Sequence, residues 1–192
     1  MRIIKTRSAC LLPVVLTLCF WQIAFAQDNA NDKDLPNFNR VNDTLYRGGQ
    51  PTPRGLKSLK QLGIKTIINL RDDDDRARAE QNDAVAEGFR YFNLPLDRYG
   101  RPSDKQVAAI LSIINAADNQ PVFVHCHRGA DRTGTIIAIY RIDHDGWSSE
   151  KAKEEAKSFG MGFWQTRMKD YVSDYYRRKT GGTENTTPQL NH

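Results

Sequence analysis

Cysteine is nearly missing from this chain of 192 residues: there are three, and Cys10 and Cys19 both fall within the first 26 residues, leaving Cys126 alone in the remainder. A scaffold stapled by internal disulfides is therefore excluded for residues 27–192. Histidine is sparse too, four in all. His125 and His127 flank Cys126, but adjacent residues rarely converge on one ion and no second cluster stands at ligand spacing, so no metal site is expected. A strong charge of one sign is also lacking. The 28 Lys and Arg against 23 Asp and Glu give +5, but Arg2, Lys5 and Arg7 precede residue 27 and no acid does, so the rest carries 25 against 23, or +2. That near-balance gives no support for a nucleic-acid partner.

What the first 26 residues do have is the layout of a secretory signal. The three cations come first, an apolar run from Ala9 to Ala24 follows, and Ala24-Phe25-Ala26 offers the small residues a signal peptidase accommodates. Pro13 and Gln22 interrupt the run and no basic stop follows it, which argues against a retained anchor. Neither Cys10 nor Cys19 has the small-residue context of a lipid-modified cysteine. The expectation is a signal peptide over 1–26, export to the periplasm or the medium, and no stable membrane insertion after cleavage. A polar leader rich in Asn and Asp should cover 27–37, one domain 38–180, and a disordered polar tail 181–192. About 145 residues suffice for a single core, and no internal repeat or second boundary is visible.

Within the domain, short β-branched runs alternate with helical patterns. Val41 to Arg47 reads as a strand or hairpin arm ending at the turn Gly48-Gly49-Gln50-Pro51. Thr52 caps a helix with Pro53 in its first turn and Gly63 at its stop. Ile64 to Leu70 reads as a buried strand, and Asp75 to Glu87 as a polar helix anchored weakly by Ala79 and Val85. Phe89 to Leu94 is a strand that Pro95 turns out of the sheet. Ser103 and Gln106 form a capping box ahead of Val107, Ile110, Leu111 and Ile114. Pro121 to His125 is a third buried strand, Thr133 to Asp143 a buried helix, and two amphipathic helices span Ser149–Phe159 and about Trp164–Arg177. Strands separated by helices imply an α/β domain with a mainly parallel central sheet, covered on both faces, whose ligands sit at the carboxyl ends of the strands.

One segment lies at such an end: His125-Cys126-His127-Arg128-Gly129-Ala130-Asp131-Arg132-Thr133-Gly134, between a buried strand and a buried helix. A strand, a turn and a helix start gather several backbone N–H groups around one point, with the positive end of the helix dipole behind them. An anion fits there. Gly129 lets the turn close, Gly134 permits tight packing inside the helix, and the planar fork of Arg132 suits two phosphate oxygens. Cys126, beside this ring of donors and cations, gains thiolate character and becomes a nucleophile at neutral pH. The same donors stabilise charge on the equatorial oxygens as phosphate moves to sulfur, so no metal or other cofactor is required.

Cys126, five residues and then Arg132-Thr133 resembles the Cys-x5-Arg signature of the protein tyrosine phosphatase superfamily, most closely its compact dual-specificity branch. Leu45-Tyr-Arg-Gly-Gly-Gln-Pro51, Ile64-Lys-Thr-Ile-Ile-Asn-Leu-Arg71 and Trp147 through Gly160 are similar to bacterial, plant and fungal atypical members, and the likeness covers roughly residues 38 to 178. It implies a phosphocysteine intermediate cleaved by water and a general acid that protonates the leaving oxygen. Asp97, after Pro95 at the end of a strand, is the first choice for that acid; a solvated loop aspartate is the plain alternative. Asp131 is the rival, because lipid-directed members often carry Asp before the signature Arg, although it could instead orient the loop or pair with Arg128. Thr133 resembles the hydroxyl that stabilises the departing thiolate, and His125 the residue that orders the loop.

The phosphorylated substrate is less defined. A phosphotyrosine, a phosphoprotein or a small phosphate ester fits the branch. His127 and Arg128 resemble the loops of inositol phosphate and phosphoinositide phosphatases, yet Ala130 stands where those commonly carry Lys. His127, Arg128, Gly129, Ala130, Asp131 and Arg132 are the expected phosphate contacts, with Arg98, Arg101 and Arg47 as further basic candidates. A rhodanese-like sulfurtransferase is the competing enzyme. A phosphate-binding pseudophosphatase is the non-enzymatic reading, and it predicts loss of Cys126 or Arg132, both of which are present. Asp72 to Asp75 reads as a solvated helix start.

Overall fold

The computed structural model describes residues 33–182. The expected signal peptide, residues 27–32 of the leader and residues 183–192 of the tail lie outside the described residues.

The strands are β1 (Asn39–Arg40), β2 (Leu45–Gly48), β3 (Thr66–Asn69), β4 (Arg90–Asn93) and β5 (Val122–His125). They form one sheet in the order β1-β2-β5-β3-β4, parallel throughout except for the β1–β2 pair. β1 and β2 thus make a short hairpin, where the sequence suggested one continuous arm from Val41. Asn42 explains the break, since its Oδ1 accepts from the Thr44 backbone N–H at 3.0 Å and turns the chain between the two strands.

The helices are α1 (Pro53–Gln61), α2 (Asp75–Ala86), α3 (Asp104–Asn115), α4 (Asp131–His144), α5 (Ser149–Ser158) and α6 (Thr166–Thr180). Their starts follow from side-chain caps. Thr52, Asp74 and Ser148 each accept from a backbone N–H three residues on, and Ser103 with Gln106 closes the expected capping box. α4 begins at Asp131 rather than Thr133, so the turn carrying Arg132 is already helical.

Two apolar layers sandwich the sheet. One holds Leu35, Leu56, Leu59, Ile67, Ala84 and Phe123 under α1 and α2; the other packs Ile68, Val124, Ile110, Ile137, Ile139, Ala152 and Val172 between the sheet and α3 to α6. Each fully buried Ile or Leu contributes about 1.5–3 kcal/mol relative to exposure. α4 is buried on nearly all sides, from Arg132 through Tyr140, which makes it a rigid post for whatever its first turn holds.

Two expectations need correction. Residues 33–37 of the expected leader belong to the domain: Leu35 is 5% exposed, and the carbonyls of Asp34 and Pro36 accept from Thr52 and Gly49. In α2 the inward face is Ala77, Glu80 and Ala84, not Ala79 and Val85, because small residues let the helix approach the sheet and Val85 is left 56% exposed. A buried glutamate at the centre of that face matters below.

Candidate active site

β5 runs up the middle of the sheet and ends at His125, so Cys126 emerges at the centre of its carboxyl edge. Residues 126–130 then turn into α4. Gly129 has φ +70°, and a Cβ there would collide with the backbone of Gly48 and lie 2.6 Å from Gly49 N. Only glycine meets both conditions. The Gly48–Gln50 turn packs backbone to backbone on the loop, with Gln50 N–H donating to His127 O at 3.1 Å. No side chain caps the first turn of α4, which leaves its N–H groups for an anion.

A cavity of about 260 Å³ opens over this loop, lined by Cys126, His127, Arg128, Asp131 and Arg132 below and by Arg98, Tyr99, Trp164 and Gln165 around the rim. Cys126 is 3% exposed at its floor and forms no disulfide. Arg132 is nearly buried; its Nη1 donates to Leu70 O (3.2 Å) and Leu96 O (3.4 Å), which fixes the guanidinium against the ends of β3 and β4. Thr133 Oγ1 is buried and makes no hydrogen bond. Gly129 and Ala130 lie in the turn between β5 and α4, Ala130 at the N-cap position, and neither lines the cavity.

A buried polar network braces the loop from the α2 side. His125 Nε2 lies 2.8 Å from Glu80 Oε1, and its Nδ1 lies 3.3 Å from Cys126 O. The other carboxylate oxygen of Glu80 accepts from Gln50 Nε2 (2.6 Å), Asn69 Nδ2 (3.1 Å) and Tyr91 OH (3.2 Å). Burial pushes the Glu80 pKa up, but His125, Gln50 and Tyr91 outweigh it and hold the carboxyl below its ordinary value. Glu80 therefore stays ionised in the core. Sequence reasoning missed it, although Asn69 and Tyr91 on otherwise apolar strands and the Ala77, Glu80, Ala84 spacing were signals.

The two candidate acids are placed differently. Asp131 lines the cavity, yet its carboxylate is bound by Arg128 (2.6 Å) and by the Gly162 N–H (2.9 Å). Asp97 stands on the loop after β4, beyond the cavity wall, and accepts from Tyr99 N–H and Gly100 N–H, both at 2.7 Å. Those two N–H groups, then the charges of Arg167 and Arg132, hold its pKa below the ordinary carboxylate value. His127 is pushed down from 6.5 by partial burial and by Arg71, Arg98, Arg132 and Arg128, so it is neutral at pH 7.

Of the further basic candidates, Arg98 and Arg128 reach the rim. Arg101 instead pairs with Asp174 at 2.6 Å and lies over the Tyr171 ring, so it is committed to α6. Arg47 is buried beneath the loop rather than open to the cavity. Asp74 caps α2 and Asp73 and Asp75 pair with Arg78, in keeping with a solvated helix start. Tyr99, Trp164 and Gln165 on the rim were not among the expected site residues. An exposed Phe163-Trp164 pair after Gly160-Met161-Gly162 was the available signal. Among the described residues no three His, Cys, Asp or Glu converge as a metal site, and no helix is long and apolar enough to cross a membrane.

The profile of the family described as DSP-PTPase phosphatase fused to NAD+ kinase matches residues 23–174. The dual specificity protein phosphatase TpbA of Pseudomonas aeruginosa is 35% identical over 127 residues, covering 66% of this chain and 56% of that protein; the chain thus spans little more than half the length of that relative. A crystal structure of a P. aeruginosa TpbA variant in complex with pTyr superposes with a TM-score of 0.62 at 30% identity, over 77% of this chain and 91% of that one. The inositol diphosphatase DSP5 of Arabidopsis thaliana is 27% identical over 161 residues, covering 77% of this chain and 76% of that protein.

Proposed function

Since the chain belongs to the family of DSP-PTPase phosphatases, we propose that it hydrolyses phosphate monoesters through a phosphocysteine formed on Cys126. The observation that carries this reading is the placement of the one thiol of the described residues on the floor of a cationic cavity, among Arg132, His127 and the uncapped N–H groups of α4. In the first step the Cys126 sulfur attacks phosphorus and the ester oxygen leaves with a proton from an aspartate. In the second, water attacks the phosphocysteine, gives a proton back to that aspartate and releases phosphate and the thiolate. Arg132 and the loop N–H groups hold the equatorial oxygens in both steps. They supply the positive charge the transition state needs, which is the basis for proposing a reaction without metal. Thr133, with its free hydroxyl, is the proposed donor to the departing thiolate.

Asp97 is the first choice for the acid, as a carboxyl on the loop after β4 within the electrostatic reach of Arg132, and it acts after leaving the N–H groups of Tyr99 and Gly100. A second reading gives that role to Asp131, and the observation favouring it is that Asp131 already forms part of the cavity wall. The aromatic rim of Tyr99 and Trp164 suits an aryl phosphate, and the structural likeness to TpbA bound to pTyr supports phosphotyrosine or another aryl ester. Arg98, Arg128 and the relationship to DSP5 support inositol phosphates as the alternative. Export to the periplasm or the medium through residues 1–26 belongs to the same proposal.

The decisive experiment is hydrolysis of p-nitrophenyl phosphate in EDTA by the protein and by Cys126→Ser. Turnover that persists in EDTA and vanishes with the sulfur is expected; survival in the serine variant, or a requirement for a divalent cation, overturns the mechanism. Asp97→Asn and Asp131→Asn then separate the acids, since loss of the true one removes the basic limb of the pH–rate profile. A panel of phosphotyrosine peptides and inositol phosphates ranks the substrates by kcat/KM.

A further inference from the structure

Arg47 is 1% exposed and heads the largest fully buried side chains of the described residues. It stands on β2 in register with Val124, and the next residue, Gly48, is opposite His125. Its Nη2 donates to the Gly129 carbonyl at 2.8 Å, and its guanidinium carbon lies 3.9 Å from the centroid of the Phe159 ring. Nε and Nη1 are buried with no hydrogen-bond partner. A buried cation with a half-used fork is costly unless something nearby compensates it. Burial does push its pKa down to about 10, with the charges of Glu155 and Cys126 opposing that fall. Glu155 is engaged by Arg141 at 2.8 Å, and among the described residues the one side-chain hydrogen bond of Arg47 is to the loop carbonyl of Gly129.

The peptide plane joining Gly129 and Ala130 gives the contact a direction. In a trans peptide the C=O and the following N–H point opposite ways. Fixing the Gly129 carbonyl toward Arg47 turns the Ala130 N–H away from it, toward the centre of the loop. We infer that Arg47 is the positioning residue of the phosphate loop: it sets the Ala130 N–H toward the bound phosphate and lies behind the loop as a buried counter-ion for the anionic site. The inference rests on the phosphocysteine reading, and it adds a residue that never touches substrate.

The test uses Arg47→Met and Arg47→Lys in the full chain with two measurements that need no turnover: the pH profile of iodoacetamide alkylation of Cys126, and orthovanadate affinity by calorimetry. Arg71, Arg98, Arg128, Asp131, Arg132 and the Glu80–His125 pair remain in both variants, so their charges cancel from the comparison. Arg47→Met is expected to slow alkylation of Cys126 several-fold at neutral pH and to weaken vanadate about tenfold. Arg47→Lys keeps the charge without the planar fork, so its alkylation profile should stay near the original while vanadate weakens several-fold. A folded Arg47→Met with both measurements within twofold of the original overturns the inference. If Arg47→Met does not fold, unchanged vanadate affinity in Arg47→Lys overturns it instead. Failure of the phosphatase reading shows separately, as aryl phosphate turnover that survives Cys126→Ser.

Discussion

Two loops meet over the cavity, residues 126–131 and residues 95–102, and they are built in opposite ways. The first is bolted from both sides of the sheet: Glu80 and His125 hold it from the α2 face, Arg47 from the α5 face, and the Gly48–Gln50 backbone lies against it. The second is anchored at its ends, by Arg132 and the Leu70 carbonyl on Leu96 and by Asp174 on Arg101, while its tip from 97 to 100 is held mainly by itself, through Asp97 on the N–H groups of Tyr99 and Gly100, with Gln165 Nε2 on Arg98 O as its tie to the chain before α6. Tyr99 is 61% exposed, while Cys126 is 3% exposed. The difference separates two tasks. Anion binding benefits from donors that need no rearrangement, whereas a proton donor and a substrate rim must adapt to the leaving group.

Substitutions should break this contrast in order of size. Arg132→Ala is expected to cost about 10³-fold in kcat/KM for an aryl phosphate, because it removes the fixed counter-charge of the transition state; initial rates at substrate well below KM check it. Asp97→Asn should lower kcat about 10²-fold with a melting temperature near that of the parent, since the second loop contributes rate and little stability. Equal loss of both would contradict the division of labour. Glu80→Gln should behave oppositely, destabilising by about 3 kcal/mol in urea titration because the buried His125 loses its partner. Its pH dependence has a definite sign: the pKa of Glu80 is depressed, so the stability from this network is full above the ordinary carboxylate range and is lost as pH falls through the depressed value.

A smaller effect belongs to the rim. Trp164→Ala is expected to raise KM for aryl phosphates about fivefold, the worth of roughly one aromatic contact, with kcat unchanged; a parallel effect on inositol phosphates would show that the ring does not select planar groups. Smallest is a protonic signal from the bolted loop. An anion in the cavity offsets the four arginines that depress His127, so vanadate binding near pH 6 should take up a fraction of a proton. Calorimetry in buffers of different ionisation enthalpy measures it, and proton release would contradict the assignment.

How much of this was legible differs between the loops as well. The 126–132 segment announced itself because strand, glycine turn and helix start are local in sequence, and Cys126, Gly129 and Arg132 fall where a short-range geometric rule puts them. Its bolts did not, because Glu80 and Arg47 are 46 and 79 residues from Cys126 and only the pairing of β2, β3 and β5 brings them together. Charged residues in amphipathic or turn contexts read as surface; for Glu80 the small neighbours Ala77 and Ala84 are the one local mark of its buried face, and for Arg47 there is none. The helix starts were legible for α1, α2, α3 and α5, where Thr52, Asp74, Ser103 and Ser148 cap by short-range hydrogen bonds, and two residues off for α4 and α6, which no side chain caps. The β1–β2 hairpin was not, since Asn42 can end a strand or sit in one. For the second loop, Pro95 marked the exit from the sheet, but the partners of Asp97 depend on a turn whose conformation no spacing rule specifies.

The solitude of Cys126 carries one more consequence. The thiolate proposed as the nucleophile would also be open to peroxide, with a sulfenic acid as the first product. No other cysteine occurs in residues 33–182, so that acid has no neighbouring sulfur within the domain with which to close a protective disulfide. Recovery then depends on a thiol arriving from solution through the 260 Å³ cavity before a second oxidation, because the sulfinic acid that follows is not restored by thiols. On the proposed mechanism, survival under oxidation is governed by access through the same opening that admits the phosphate ester, and an occupying phosphate would act as a shield.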